Sequence, residues 1–272
     1  MSRVREAAFT GAAALLALVV LAPLLWMVSV SLMAPGEANG VPPPLLPARP
    51  TLRAYVALFT EYRLGRPLLN SLGLATVVAS VSLALTTPAG YAFAKLRFHG
   101  RERLVRLLFA LLVVPGQVAY LPLFLMLKAA HLVDSYLGVI VPFLPGVFAV
   151  LFVRQAALAI PDDMLDAARM DGAGEVRVFL EVALPLLRPM LVTLGLFTFL
   201  ASWNEFLWTL IVLADQRLYT LPVALAALSR EHAQDVELMM AGAVVTTAPV
   251  LVIFLLLQRH YVRGVLDGGV KG

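Results

Sequence analysis

The chain has 272 residues, of which 61% are hydrophobic and only 14% charged, with a formal net charge of +4 and a mean hydropathy of +0.88. A soluble domain needs roughly 25% charged residues to wet its surface, and a disordered chain needs low hydrophobicity with high charge; both classes are excluded, and lipid is the expected solvent. The 21 basic residues of so apolar a chain mark membrane sidedness rather than a nucleic-acid footprint, and without cysteine there is no disulfide frame, thiol nucleophile or Cys-zinc site.

Six stretches are free or nearly free of Asp, Glu, Lys and Arg: 7–34, 67–94, 107–127, 135–153, 189–214 and 238–257. About 20 mostly apolar residues cross a hydrocarbon core as helix, a length the fourth stretch reaches by continuing past Arg154 through 156–160. The first follows Arg3 and Arg5 as a secretory leader would, but it runs on through Trp26 and Met27, beyond the roughly 7–15 apolar residues of a leader core. It is expected to remain as a span. Residues 35–66 form a loop whose VPPPLLPARP run is predicted to be extended, followed by LRAYVALFTEY as a short interfacial helix. Pro115-Gly116, Pro142, Pro145-Gly146 and Pro249 interrupt later stretches, which lipid tolerates where neighbouring helices satisfy the freed backbone groups.

Basic residues set the orientation. With the N-terminus inside, 14 of the 21 Lys and Arg fall on cytoplasmic segments, five of them in the short loop 95–106. The positive-inside rule therefore favours both termini in the cytoplasm. The predicted fold is an all-α integral membrane protein of six transmembrane helices. Residues 1–66 carry one span and its extracytoplasmic Pro-rich loop; residues 67–272 carry five spans, a cytoplasmic loop at 154–188 and a cytoplasmic tail.

That loop is the most informative segment. Pro161 suits the first helical position, and Asp162 and Asp163 suit a first turn facing the positive end of the helix dipole. A helix is predicted to about Met170, with Met164, Leu165, Ala168 and Met170 on one side, closed by left-handed Gly172 and Gly174. A second helix from Glu175 carries Val176, Phe179, Leu180 and Ala183 at helical spacing, and Leu184-Pro185 with Pro189 predicts a bend into the fifth span. Two such helices either lie on their own bundle or the lipid interface, or present an apolar face to a cytoplasmic partner's groove.

Asp166-Ala167-Ala168, then Gly172, Val182 and Leu184-Pro185, resemble the E-A-A-x3-G-x9-I-x-L-P signature of the membrane subunits of binding-protein-dependent ABC importers. The spacing is kept throughout, with Asp for Glu at 166 and Val for Ile at 182. NSL at 70–72, TTPAGYAFAKLRFHGR at 86–101, WNEFLWTLIVL at 203–213, LPVALAAL at 221–228 and the tail QRHYVRGVLDGGVKG at 258–272 are similar to the carbohydrate branch of that family, the second permease of a maltose-type pair. The resemblance implies a second permease subunit, two cytoplasmic ABC ATPase subunits that bind ATP and Mg, and an extracytoplasmic solute-binding protein, in a bacterial inner membrane. It makes the loop a coupling helix seated in an ATPase groove, with Pro161, Leu165, Asp166, Ala167, Ala168, Met170, Asp171, Gly172, Leu184 and Pro185 as its residues. The small Ala167 and Ala168 allow close approach, Gly172 a tight turn, and Asp166 a pair with a basic group across the interface.

The chain's own chemistry is sparse. Its three lysines, Lys95, Lys128 and Lys271, stand in no phosphate-cradling Walker loop, and its four histidines have no metal-binding spacing. No G-x-S-x-G elbow occurs, so no catalysis, metal or cofactor is expected of this polypeptide. Glu205 is the one formally charged residue inside the six stretches, and an ionised carboxylate at bilayer depth costs several kcal/mol. It is expected in the outer half of the membrane, facing a cavity or the outer headgroups, either on the solute path or in a structural pair. Asn204 and Ser202 flank it, and Trp203 and Trp208 offer flat faces to a sugar ring or belong to an interfacial belt. Asn70 and Gln117 are further polar candidates for the path, although polar side chains also join helices without touching solute. The rival readings are a six-helix secondary transporter with Glu205 as proton carrier and a non-transporting membrane scaffold.

Overall fold

A computed structural model describes residues 3–144, 146–232 and 234–269. Pro145, Lys271 and the last residues of the tail lie outside them. The regular elements among the described residues are all helices, without strands. The chain divides into two units, one of residues 1–68 with 221–251 and one of 69–220 with 252–272.

The first unit is built on α1 (Arg3–Ser31), α2 (Arg53–Thr60), α12 (Leu221–Glu231) and the first part of α13 (Val236–Gly269). The Ala-, Leu- and Val-rich run of α1 stays helical through Pro23. The Pro-rich segment is not helical, as expected, but runs through a series of bends rather than one extended stretch, and backbone-directed bonds hold it. Ser29 Oγ donates to the Leu45 carbonyl at 2.6 Å, and Glu37 accepts the amides of Ala48 and Ala34 at 2.6 and 2.9 Å. Those amides hold the half-buried Glu37 carboxyl below the usual glutamate range, Ala48 contributing most. Asp235 caps α13 by accepting the Leu238 amide at 2.9 Å. Glu237 is 2% exposed and accepts the Ala38 amide at 2.9 Å, joining the start of α13 to the loop after α1.

The second unit contains most of α3 (Gly65–Lys95), then α4 (Arg101–Val113), α5 (Tyr120–Ala129), α6 (Tyr136–Ile140), α7 (Val147–Leu158), α8 (Asp162–Met170), α9 (Glu175–Val178), α10 (Leu184–Trp203) and α11 (Leu207–Val212). Among the described residues four continuous helices are long and apolar enough to cross a membrane: Phe9–Ser31, Gly65–Lys95, Glu175–Trp203 and Val236–Leu256. The third and fourth apolar stretches are not straight helices. α4 and α5 meet at 95° across Pro115-Gly116, and the α6 and α7 segments meet at 40°. Val114 is extended ahead of Pro115, the conformation that a following proline imposes.

Two further expectations are corrected. The bend at Leu184-Pro185 is absent: α9 runs into α10 through a widened π turn at Phe179–Ala183. Pro185 and Pro189 withdraw N–H groups that would bond carbonyls one turn earlier, and a wider turn just before them relieves the ladder without breaking it. The fifth stretch, by contrast, breaks where continuity was expected, since α10 ends at Trp203 and α11 starts at Leu207.

Candidate functional site

The loop between α7 and α10 is a short rod fixed at both ends. α8 starts at Asp162, with Pro161 one residue outside as its extended cap rather than at the first helical position. Its end is a Schellman closure: the Ala173 amide bonds the Ala168 carbonyl and the Gly172 amide that of Arg169, both at 3.0 Å, with Gly172 at φ +85°. Gly174 is not left-handed but extended, as the cap of α9. The five-residue distance from Ala167 to Gly172 is thus a helix end and its closing turn.

One face of this rod is anchored. Leu165 is fully buried in a core with Tyr91 and Ala94 of α3, Val153 of α7 and Leu187 of α10, so α8 is packed into the same close-packed core as α3, α7 and α10. Ala168 lies half-buried on that side. The outward side is open: Met164, Met170, Val176 and Leu180 are 46%, 88%, 74% and 51% exposed, and Ala167 and Asp171 are exposed with them. Met170 therefore points away from Leu165 and Ala168, while Met164, one turn before Ala168 on the same flank, lies at the exposed edge of that side. Leu184 and Pro185 are half-buried at the start of α10.

Two ion-pair braces stiffen the rod. Arg169 donates to Asp166 at 2.6 Å and to both oxygens of Glu175 at 2.7 and 3.1 Å, spanning the turn at Gly172; Glu175 and then Asp166 hold its guanidinium still more firmly charged. Asp166 is accordingly engaged inside the loop. Lys95, 7% exposed, donates to the Ile160 carbonyl and to Asp162, both at 2.6 Å. That hydrogen bond and the Lys95 charge hold the exposed Asp162 carboxyl below the usual aspartate range. Neither brace was identified from the sequence. The three-residue spacing of Asp166 and Arg169 is a helical pair signal, whereas Lys95 and Asp162 are brought together only by the fold.

Lys95→Met leaves the Ile160 carbonyl, in a residue only 7% exposed, without its donor. This is expected to cost about 1–3 kcal/mol and to speed hydrogen exchange of the amides from 162 to 172, with Asp162→Asn giving a smaller effect because that carboxyl is exposed. A lowered carboxyl pKa contributes stability above the unfolded value and loses it as pH falls through the folded one. Protection of these amides is therefore expected to be flat from about pH 5 to 8 and to drop only below about pH 4.

The polar residues proposed for a path separate into three places. Ser202 and Glu205 line one cavity of about 480 Å³ with Ser82, Thr198, Phe143 and Phe197. Glu205 Oε1 accepts the Trp208 amide at 2.8 Å, in the first turn of α11. Trp203 is 1% exposed and stacks on Phe199 at 5.9 Å; Trp208 is fully buried and donates to the Gly138 carbonyl at 3.2 Å. Neither indole presents a free face to a sugar. Asn204 donates to the Leu200 carbonyl at 2.9 Å, closing α10. Asn70 joins Tyr136 with the carbonyls of Arg217 and Tyr219 at 2.8–3.0 Å, while Gln117 is exposed in the single turn after the α4 break. Among the described residues no three of His, Asp and Glu converge as a metal site.

Several long apolar helices, two bent pairs and a capped, braced loop between them define a multi-pass helical membrane protein. Residues 86–267 match the family described as the binding-protein-dependent transport system inner membrane component, and the chain belongs to that family. An arabinooligosaccharides transport system permease from Halalkalibacterium halodurans is 35% identical over 262 residues, covering 95% of this chain and 94% of its own. A trehalose transport system permease from Mycobacterium tuberculosis is 32% identical over 256 residues, 93% of each chain. A bacterial ABC transporter involved in import of the acidic polysaccharide alginate contains a chain of the same fold, with a TM-score of 0.80 and 23% identity over 95% of this chain and 98% of that one.

Proposed function

We propose that this chain is one of two permease subunits of an ATP-driven importer for a carbohydrate, an oligosaccharide or similar polyol, in a bacterial inner membrane. Each bent helix pair counts as one span, giving six spans with both termini in the cytoplasm; residues 1–66 form the N-terminal span and outer loop, and 67–272 the permease core. A second permease completes the pathway, an extracytoplasmic binding protein delivers the solute, and two cytoplasmic ATPase subunits bind ATP and Mg. The single observation that carries this reading is the rod at 162–170, anchored by buried Leu165 and open on the Met164–Met170 face. Such a rod converts a partner's movement into helix movement because nothing flexible intervenes. We assign Ser202 and Glu205 to the solute path because they line one cavity, and Asn70, Trp203 and Asn204 to packing and capping. Gln117 is retained as an exposed polar residue at a break. The carbohydrate class is carried over from the relatives' arabinooligosaccharides and trehalose systems.

Proteoliposomes holding the complete transporter, offered labelled arabinotriose and trehalose with the binding protein, are expected to accumulate at least one of them only with ATP, at a rate unchanged by a proton ionophore. Accumulation that stops with the ionophore while ATP stays plentiful would favour the proton-coupled reading with Glu205 as carrier.

A further inference from the structure

The stretch 95–106 carries five cations against one carboxylate, Glu102. Lys95 is committed to Ile160 and Asp162, and Arg101 to Glu102 at 3.0 Å and the Leu96 carbonyl at 3.2 Å. Arg97 and Arg103 make no side-chain hydrogen bond or ion pair among the described residues, and Arg106 gives only its Nε, to the Glu102 carbonyl at 3.3 Å. These three exposed guanidiniums line, with Arg101, Glu102, Phe98, His99 and Gly100, a single recess of about 500 Å³. One carboxylate, Glu102, stands against four guanidiniums round this hollow and is paired with Arg101, while Arg97 also acts on Asp162; the excess positive charge favours a further anion, and guanidiniums bind phosphate through paired N–H donors. The recess also lies at the positive end of α4. Leu104, Leu107 and Leu111 of the same helix are 44%, 54% and 47% exposed, at the spacing that forms one continuous stripe.

We propose that this recess and stripe together bind an anionic phospholipid, its phosphate among Arg97, Arg103 and Arg106 and an acyl chain along α4. The stripe continues into the third apolar stretch and so already faces lipid; a lipid with an anionic headgroup meets the charges and the stripe with one molecule. The proposal rests on the topology given above, which turns 95–106 toward the cytoplasmic leaflet. Native mass spectra of the whole transporter released from equimolar phosphatidylglycerol and phosphatidylcholine bilayers are expected to show phosphatidylglycerol retained in preference. The R97Q/R103Q/R106Q variant should lower that retention on the order of a hundredfold, roughly fivefold per arginine, while an R49Q/R53Q variant keeps it; subunit stoichiometry in the same spectra reports assembly. Equal retention of the two lipids, or no change in the triple variant, overturns the proposal. So does full displacement by millimolar inorganic phosphate, which would make the occupant a free anion, or loss of the ATPase subunits by the triple variant in pure phosphatidylcholine, which would make it a protein surface. The chain has no cysteine, so His99→Cys labelled by an impermeant maleimide reads the topology separately. Labelling only in inside-out vesicles supports it, and labelling from the outer face overturns the orientation, whatever the lipid result.

Discussion

Replacing Gly172 by Trp is expected to reduce uptake to a small fraction of wild type while the permease still accumulates in the membrane. Two effects combine at this position. Gly172 closes α8 at φ +85°, where an L-residue other than Gly is strained by roughly 1–2 kcal/mol, enough to lower the population of the formed turn by about 5–30-fold. A side chain here meets nothing within 4 Å, so it projects outward beside Met170, on the face proposed to seat in the ATPase subunit. Gly172→Asn separates the two, because Asn enters the left-handed region several-fold more readily than most residues and is far smaller; it is expected to keep most of the uptake. Asp166→Lys tests the same device electrostatically, replacing a 2.6 Å pair with Arg169 by two adjacent cations. Labelled-sugar uptake, with immunoblots of the membrane fraction and co-purification of the ATPase subunits, measures these outcomes. Normal uptake by both Gly172→Trp and Asp166→Lys would remove the coupling role from the loop.

The second large effect is expected at Gly90, in α3 where it passes α7. A Cβ there would lie 2.6 Å from Val153 Cβ, 2.7 Å from Val153 Cγ1 and 2.8 Å from the Val150 carbonyl oxygen. These are a side-chain stem and backbone, which cannot swing aside as the tip of a long side chain would, so the two helices must separate. Overpacking of this kind costs about 1–3 kcal/mol. Gly90→Ala is therefore expected to lower the Tm of the detergent-solubilised transporter by roughly 2–12 °C. Uptake should fall as well, since Val153 and Ala94 belong to the core that holds Leu165. Val153→Ala in the Gly90→Ala background removes only the Cγ1 contact and leaves Val153 Cβ and the Val150 carbonyl oxygen in the way, so it should recover little of the lost stability. An unchanged Tm in Gly90→Ala would mean that α3 and α7 do not pack this closely in the membrane.

The sequence by itself determined the solvent, the number of apolar stretches and the site of the informative loop, because these depend on local quantities: hydropathy summed over about 20 residues, the positions of charge, and the backbone freedom of glycine. Asp162, Met170 and Gly172 bounded α8 almost to the residue for that reason, since a cap and a left-handed closure are properties of a few neighbouring positions. What the helices do at their prolines was decided by packing. Pro115, followed by Gly116, turns the chain by 95°, whereas Pro185, followed by Leu186, is accommodated by the π turn just before it, although a bend was expected at both. Only the tertiary structure decided which face of α8 is anchored, because Leu165 and Met164 are both apolar and only the presence of α3, α7 and α10 makes one buried and the other open. The same holds for Lys95 and Asp162, 67 residues apart, and for Trp203, whose burial removes it from any solute. Burial and long-range pairing are properties of what lies opposite a side chain, and a sequence specifies that only by folding.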